Sequence, residues 1–180
     1  MSYYSINEIR RVANIPNYTQ KNLQRRSLSN RRTVFLSHSH QDNDIVGLII
    51  EFLLTVGVYV YVDWLDPTMP RTTSAETARK IKERIVICER FVVLLTENSK
   101  ESKWVPWELG FADAKKKNEN IGIFPVLRNP YANGSTFSGL EYMQLYQQIK
   151  VGTISSTGQE TPIVLPPGAS RGDVVSYWLA

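Results

Sequence analysis

The sequence predicts an α/β fold, a parallel sheet covered by helices on both faces. Three observations carry this. Short, near-continuously apolar runs alternate along the chain with segments of helical period. Such runs suit strands buried on both sides rather than strands with one wet face. Polar residues able to do chemistry gather just after the first three runs, where open α/β sheets bind their ligands.

The chain opens with a basic segment. Residues 1–31 have weak periodicity, and one short helix is expected around Ile6–Ala13, stopped before Pro16. Up to residue 32 there are seven Lys/Arg against one acid, Glu8, so the +4 net charge comes from this arm and the remainder is net negative. We read 1–31 as a basic N-terminal arm, a solvated extension rather than a nucleic-acid contact, because no DNA- or RNA-binding motif accompanies it. Residues 32–180 form the domain.

The first strand of that domain is TVFLS, Thr33–Ser37. Asp42 suits a helix N-cap, and the helix runs to about Val56, where Gly57 ends it. Strand two is Val58–Trp64, rich in Val and Tyr. The apolar stretch Ile45–Val62 imitates a membrane span, but its period changes midway. It therefore reads as a buried helix followed by a buried strand. A loop with two prolines follows, Leu65–Thr73.

Thr73 and Glu76 fit a capping box. Ala78, Ile81, Ile85 and Cys88 mark one face of the helix behind it. Strand three is Arg90–Thr96. A tryptophan-bearing helix spans about Trp104–Lys117. Strand four is Ile121–Leu127, whose Pro125 suggests an edge or a strand end. Beyond it the signals weaken. Leu140–Ile149 suits a helix, a strand is expected near Val151–Ile154 or Ile163–Leu165, and a short helix near Asp173–Leu179.

Several function classes drop out. There is no G-x-G-x-x-G after the first strand, no P-loop and no G-x-S-x-G elbow. The single cysteine, Cys88, excludes an internal disulfide framework and sits on an apolar stripe, so it reads as a core residue. That fits a cytoplasmic location, as does the polar Met1–Arg11, which lacks the apolar stretch of a signal peptide. His38 and His40 form an H-x-H pair without a third ligand nearby. They read as polar residues at the cleft mouth, not as a metal site. Asp63 ends a buried strand, either capping the next loop or touching a ligand.

The most telling segment is SKWVPWEL, Ser102–Leu109. Trp104 and Glu108 are i and i+4, so on a helix they share a face one turn apart. A flat aromatic beside a lone acid can hold a cationic ring and stabilise positive charge on a neighbouring carbon. The same pair could equally be a core Trp and a solvated first-turn Glu.

VFLSHSHQD at 34–42, YVYVDW at 59–64, the proline loop to Arg71 and S-x-W-x-x-x-E-L at 102–109 come in the order and spacing of a TIR domain. The chain resembles that family over about residues 32–129, and more specifically the stand-alone bacterial proteins of the NAD-cleaving, Thoeris-like anti-phage type. The resemblance implies a flavodoxin-like five-stranded parallel sheet of order 2-1-3-4-5. It implies cleavage of NAD at the nicotinamide–ribose bond and a cyclic ADP-ribose-type signal for a separate effector. Glu108 corresponds to the catalytic acid and Trp104 to the stacking aromatic. Phe35, Ser37, His38, Asp63, Trp64 and Arg71 fall at substrate-binding positions. NAD is then substrate, and neither metal nor cofactor is implied. The loop after strand two implies self-association, closing the site against a second copy. Departures are Val105 and Pro106 after the tryptophan, Arg71 where glycine is common, and Ser39 and His40 where animal members carry arginines. Two other readings stay open here: a non-catalytic scaffold of the same fold, and a nucleoside deoxyribosyltransferase with a Glu nucleophile.

Overall fold

The computed structural model describes residues 2–13, 33–55, 57–70, 72–129 and 134–178. Five parallel strands form the centre: β2 (Thr33–Ser37), β3 (Tyr59–Tyr61), β4 (Arg90–Leu95), β5 (Ile121–Leu127) and β6 (Gln147–Thr153). They run in the order β3-β2-β4-β5-β6, which is the expected 2-1-3-4-5 arrangement.

The sheet is nonetheless larger than expected, and mixed. β7 (Glu160–Leu165) and β8 (Asp173–Val174) extend it antiparallel beyond β6. β1 (Tyr4–Ser5) adds a short parallel partner to β5. β5 is therefore an interior strand, not an edge. Pro125 falls between the last residue paired to β6, Ile123, and the first paired to β1, Val126.

Among the described residues, four helices cover the two faces. α1 (Ile6–Ala13) and α2 (Asn43–Thr55) lie on one, α3 (Ala75–Ile87) and α4 (Trp104–Lys115) on the other. The strand period decides which residue faces which pair. In β2, Val34 and Leu36 join Ile49 and Phe52 in one core, while Phe35 joins Ile81 and Leu109 in the other. By the same alternation Ser37 lies on the α3–α4 face. A final turn of helix, α5 (Val175–Trp178), returns to the first core.

The expectation of a solvated extension fails for residues 2–13. Tyr4, Ile6 and Ile9 are buried in the α2-side core, and the Tyr4 ring packs edge-on against Phe52 and Phe124. The basic residues Arg10 and Arg11 sit in the last turn of α1, where the helix dipole favours them. Residues 14–32 lie outside the described residues.

Other expectations need smaller corrections. Asp42 is not a cap: it closes a single 3-10 turn, His40–Asp42, whose start is capped by the Ser39 hydroxyl. α3 is capped one residue later than expected, by Ser74 with Thr77 in a reciprocal capping box. Gly57, at φ +84°, ends α2 as the left-handed residue of a Schellman turn, with Val58 N–H donating to the Leu53 carbonyl and Gly57 N–H to that of Leu54. The segment Leu140–Ile149 is a 3-10 turn, Glu141–Leu145, running into β6 rather than a helix. Among the described residues no helix is long and apolar enough to cross a membrane.

Candidate active site

A cleft of about 180 Å³ opens at the carboxyl ends of β2 and β3, against the first turns of α4. Its walls include Phe35, His38, Asp63, Met69, Trp104 and Glu108. Five of the eight residues that the sequence singled out thus meet in one place, and Ser37 touches the site through Glu108.

Glu108 reaches the cleft because of how α4 starts. The Ser102 hydroxyl accepts from Val105 N–H at 3.2 Å and satisfies one of the free donors of the first turn. Pro106, also in that turn, costs no helix hydrogen bond there. Val105, Leu109 and Ala112 then pack into the core, and their face brings Trp104 and Glu108 to the end of β2. The Glu108 residue is 5% exposed.

Its carboxylate meets Ser37, whose Oγ–H donates to Glu108 Oε2 at 2.5 Å. Burial pushes the Glu108 pKa up to about 8; the Ser37 hydrogen bond pulls down and the Asp63 charge pushes further up. A carboxyl so placed changes charge close to neutral pH, as catalytic acids often do. Asp63 opens a 3-10 turn after β3 and is half-exposed.

Two aromatics line the same cleft. Phe35 is buried and stacks on Phe91, with ring centroids 5.5 Å apart. Trp104 is half-buried, and the Trp107 ring meets it edge-on at 5.3 Å. Trp107 does not turn into the core. It is 37% exposed beside Lys82, whose ammonium sits 5.4 Å from its ring centre. His38 lines the cleft with its ring 6.4 Å from that of His40. The Trp64 backbone belongs to the turn Asp63–Leu65, its side chain lies outside the described residues, and so does Arg71.

Sequence reasoning missed two braces. Buried Asp66 accepts from Tyr61 Oη–H at 2.8 Å and from Thr68 N–H and Oγ1–H, and it pairs with Arg84 at 2.7 Å. Burial pushes its pKa up, but the hydrogen bonds from Thr68 and Tyr61 and the Arg84 charge outweigh that and hold it below the usual carboxylate range. This fastens the start of the loop carrying Met69 and Pro70 to α3. The spacing Asp66-x-Thr68 is an Asx-turn signal that could have revealed it. Fully buried Asp42 accepts from Thr96, Asn98 and Arg128, tying together the segments that follow β2, β4 and β5. No cluster of metal-binding side chains occurs among the described residues.

The chain is similar to several known proteins. The probable 3' cyclic ADP-D-ribose synthase ThsB' of Bacillus cereus is 36% identical over 160 residues, covering 87% of this chain and 79% of that protein. The putative cyclic ADP-D-ribose synthase TIR2 of Cytobacillus dafuensis is 30% identical over 97 residues, covering 51% of this chain and 26% of that protein. Among solved structures, the TIR domain of the Toll-related receptor TRR-2 from Hydra magnipapillata is 16% identical with a TM-score of 0.43, covering 64% of this chain and 82% of that one. The sequence model of the TIR domain matches residues 34–154, a span that holds all but the first residue of the run from β2 to β6 and every described residue lining the cleft. This chain belongs to the TIR domain family.

Proposed function

We propose that this chain cleaves NAD at the nicotinamide–ribose bond and closes the ADP-ribosyl unit into a cyclic ADP-ribose-type signal. The observation that carries the reading is the buried Glu108 carboxyl, one helical turn from Trp104 on the cleft wall. The ring nitrogen of NAD is already cationic, so the C–N bond breaks with its electron pair leaving on neutral nicotinamide. The sugar carbon becomes oxocarbenium-like. A carboxylate in a dry site stabilises that charge far better than water would. Trp104 suits the cationic ring.

Ring closure follows when a hydroxyl or the adenine of the same molecule attacks the sugar carbon. A hydroxyl nucleophile releases a proton, and a carboxylate with a pKa near 8 can accept it. The names of the two synthases support cyclisation over hydrolysis. Glu108 is thus the proposed catalytic residue. Trp104, Phe35, His38 and Asp63 are the proposed binding residues, with Trp64 and Arg71 carried from the family resemblance. Ser37 is assigned to positioning Glu108 rather than to the substrate.

The cleft is smaller than the ~300–1,000 Å³ of pockets that enclose a drug-sized ligand. It suits the nicotinamide end of NAD, with the rest extending past the loop after β3. That supports self-association, in which a second copy completes the site. We place the reaction in the cytoplasm, where NAD is at hand, in anti-phage defence with a separate effector for the product. The test is to incubate the protein with NAD and separate the products chromatographically, beside Glu108→Gln. Cyclic product from the wild type and none from a folded variant is expected. Intact NAD would favour a scaffold role, and transfer between nucleosides a deoxyribosyltransferase.

A further inference from the structure

His38 follows directly on β2 and shares the cleft wall with Glu108 and Trp104. It is 8% exposed. Its Nδ1 lies 3.3 Å from the Leu36 carbonyl oxygen. A carbonyl oxygen can only accept, so Nδ1 carries a proton. In a neutral ring that leaves Nε2 as a bare acceptor. Burial favours the neutral ring: it pushes the His38 pKa down, helped by His40 and opposed by Asp63, the Leu36 carbonyl and Asn43. Among the described residues, the buried Nε2 has no hydrogen-bond partner. A buried acceptor without a donor is uncommon in a folded protein and calls for an explanation.

The nicotinamide half of NAD carries two kinds of donor, the ribose hydroxyls and the carboxamide N–H groups. Glu108, when ionised, is an acceptor only, and it belongs beside the sugar carbon whose charge it stabilises. The ring itself is assigned to the aromatic part of the wall, Phe35 and Trp104. The carboxamide is then the donor still to be matched, and among the acceptors on the wall, which include Asp63, His38 Nε2 is the buried one with no partner among the described residues. We infer that His38 Nε2 accepts a hydrogen bond from the carboxamide N–H of the nicotinamide ring and selects the base at this site, an inference resting on the NAD-cleaving reading. Nε2 is shielded from bulk water, so the cleft wall must give for the amide to reach it. Met69 and Pro70 of the loop after β3 belong to that wall.

The test compares NAD with 3-acetylpyridine adenine dinucleotide, in which a methyl replaces the carboxamide amino group and nothing else changes. The readout is the ratio of the two kcat/KM values, so differences in intrinsic leaving ability cancel between protein variants. The wild type should prefer NAD. His38→Leu should lower kcat/KM for NAD about tenfold and bring the preference down by the same factor. His38→Asn, too short to place an acceptor where Nε2 stands, should behave like Leu and carries the test if the Leu protein does not fold. His38→Gln should restore the preference. An unchanged ratio in the Leu or Asn protein overturns the inference while leaving NAD cleavage standing, and a lower turnover of both dinucleotides at that unchanged ratio would assign His38 to a ribose hydroxyl. A wild type that cleaves neither dinucleotide removes the functional reading itself, and the inference with it.

Discussion

Raising the pH from 6 to 8 is expected to switch the site on, because Glu108 must be ionised to stabilise an oxocarbenium ion. Burial raises its pKa from 4.5 to about 8. In the free enzyme about one molecule in a hundred is then ionised at pH 6, about one in ten at pH 7 and about half at pH 8. The kcat/KM for NAD, which reports the free enzyme, should rise about tenfold from pH 6 to 7 and about fivefold from pH 7 to 8. The kcat profile should turn over at lower pH, because a bound cationic ring favours the carboxylate. Burial lowers the His38 pKa and so favours its neutral ring. The same burial has a stability cost of opposite direction. Between the unfolded value and about 8 the unfolded chain gives up the Glu108 proton while the folded chain keeps it, so stability falls as pH rises through this range. Glu108→Gln removes that slope. Its advantage over the wild type should grow from near zero at pH 4 to about 3 kcal/mol at pH 7, roughly 5–10 °C in Tm. Activity is followed by chromatography of NAD products, stability by thermal melts at each pH. A kcat/KM that is flat or falls between pH 6 and 8, together with parallel melting curves for the two proteins, would show that Glu108 does not titrate as its burial demands.

Four further outcomes are expected. Trp104→Ala should raise KM for NAD about tenfold, the worth of a desolvated cation–aromatic contact, with Trp104→Phe losing less. Trp107→Ala should leave the melting temperature nearly unchanged, since the ring is exposed; the reverse pattern in a melt and a turnover assay would exchange the two roles. Asp66→Ala leaves Arg84 and the Tyr61 hydroxyl without their shared acceptor and should cost about 2–4 kcal/mol in chemical denaturation, with equal stability of the two proteins refuting the brace. Specific activity should climb with protein concentration in a dilution series, and Arg71→Glu should flatten the climb. Constant activity from a protein that light scattering finds monomeric would show that each chain carries a complete site.

The first four strands of the central sheet were legible because they are apolar runs separated by helical segments, whereas β6 was not. Thr33–Ser37 and Ile121–Leu127 were read to the residue. The additions were not legible for the opposite reason. A two-residue strand such as Tyr4–Ser5 has no period to read, and the basic residues around Ile6 and Ile9 masked an apolar pair three apart. In LEYMQLYQQI the apolar spacing suits helix and strand alike, and pairing of β6 with β7 decides for the strand. At the site, Glu108 and Trp104 followed from helical spacing. The meeting of Ser37 with Glu108 follows from the strand period once α4 is known to lie on the Phe35 face. The two tryptophans look alike in sequence, and only the neighbouring Lys82 of α3 marks Trp107 as the outer one. The lone Nε2 of His38 was beyond reach, since it depends on where the Leu36 carbonyl points.

The strand β1 sits where the chain's beginning meets its second half. Tyr4 pairs with Val126, and Ser2 bridges to Val151. During synthesis these first residues leave the ribosome long before their partners exist. At about 5–20 residues per second, β5 emerges many seconds after β1. Tyr4, Ile6 and Ile9 must wait in solution or rest on α2 until then. A segment made well before its partners is therefore among the last to find its place. Contacts so distant in sequence also slow folding as a whole, because the loop they close must form before they reward it.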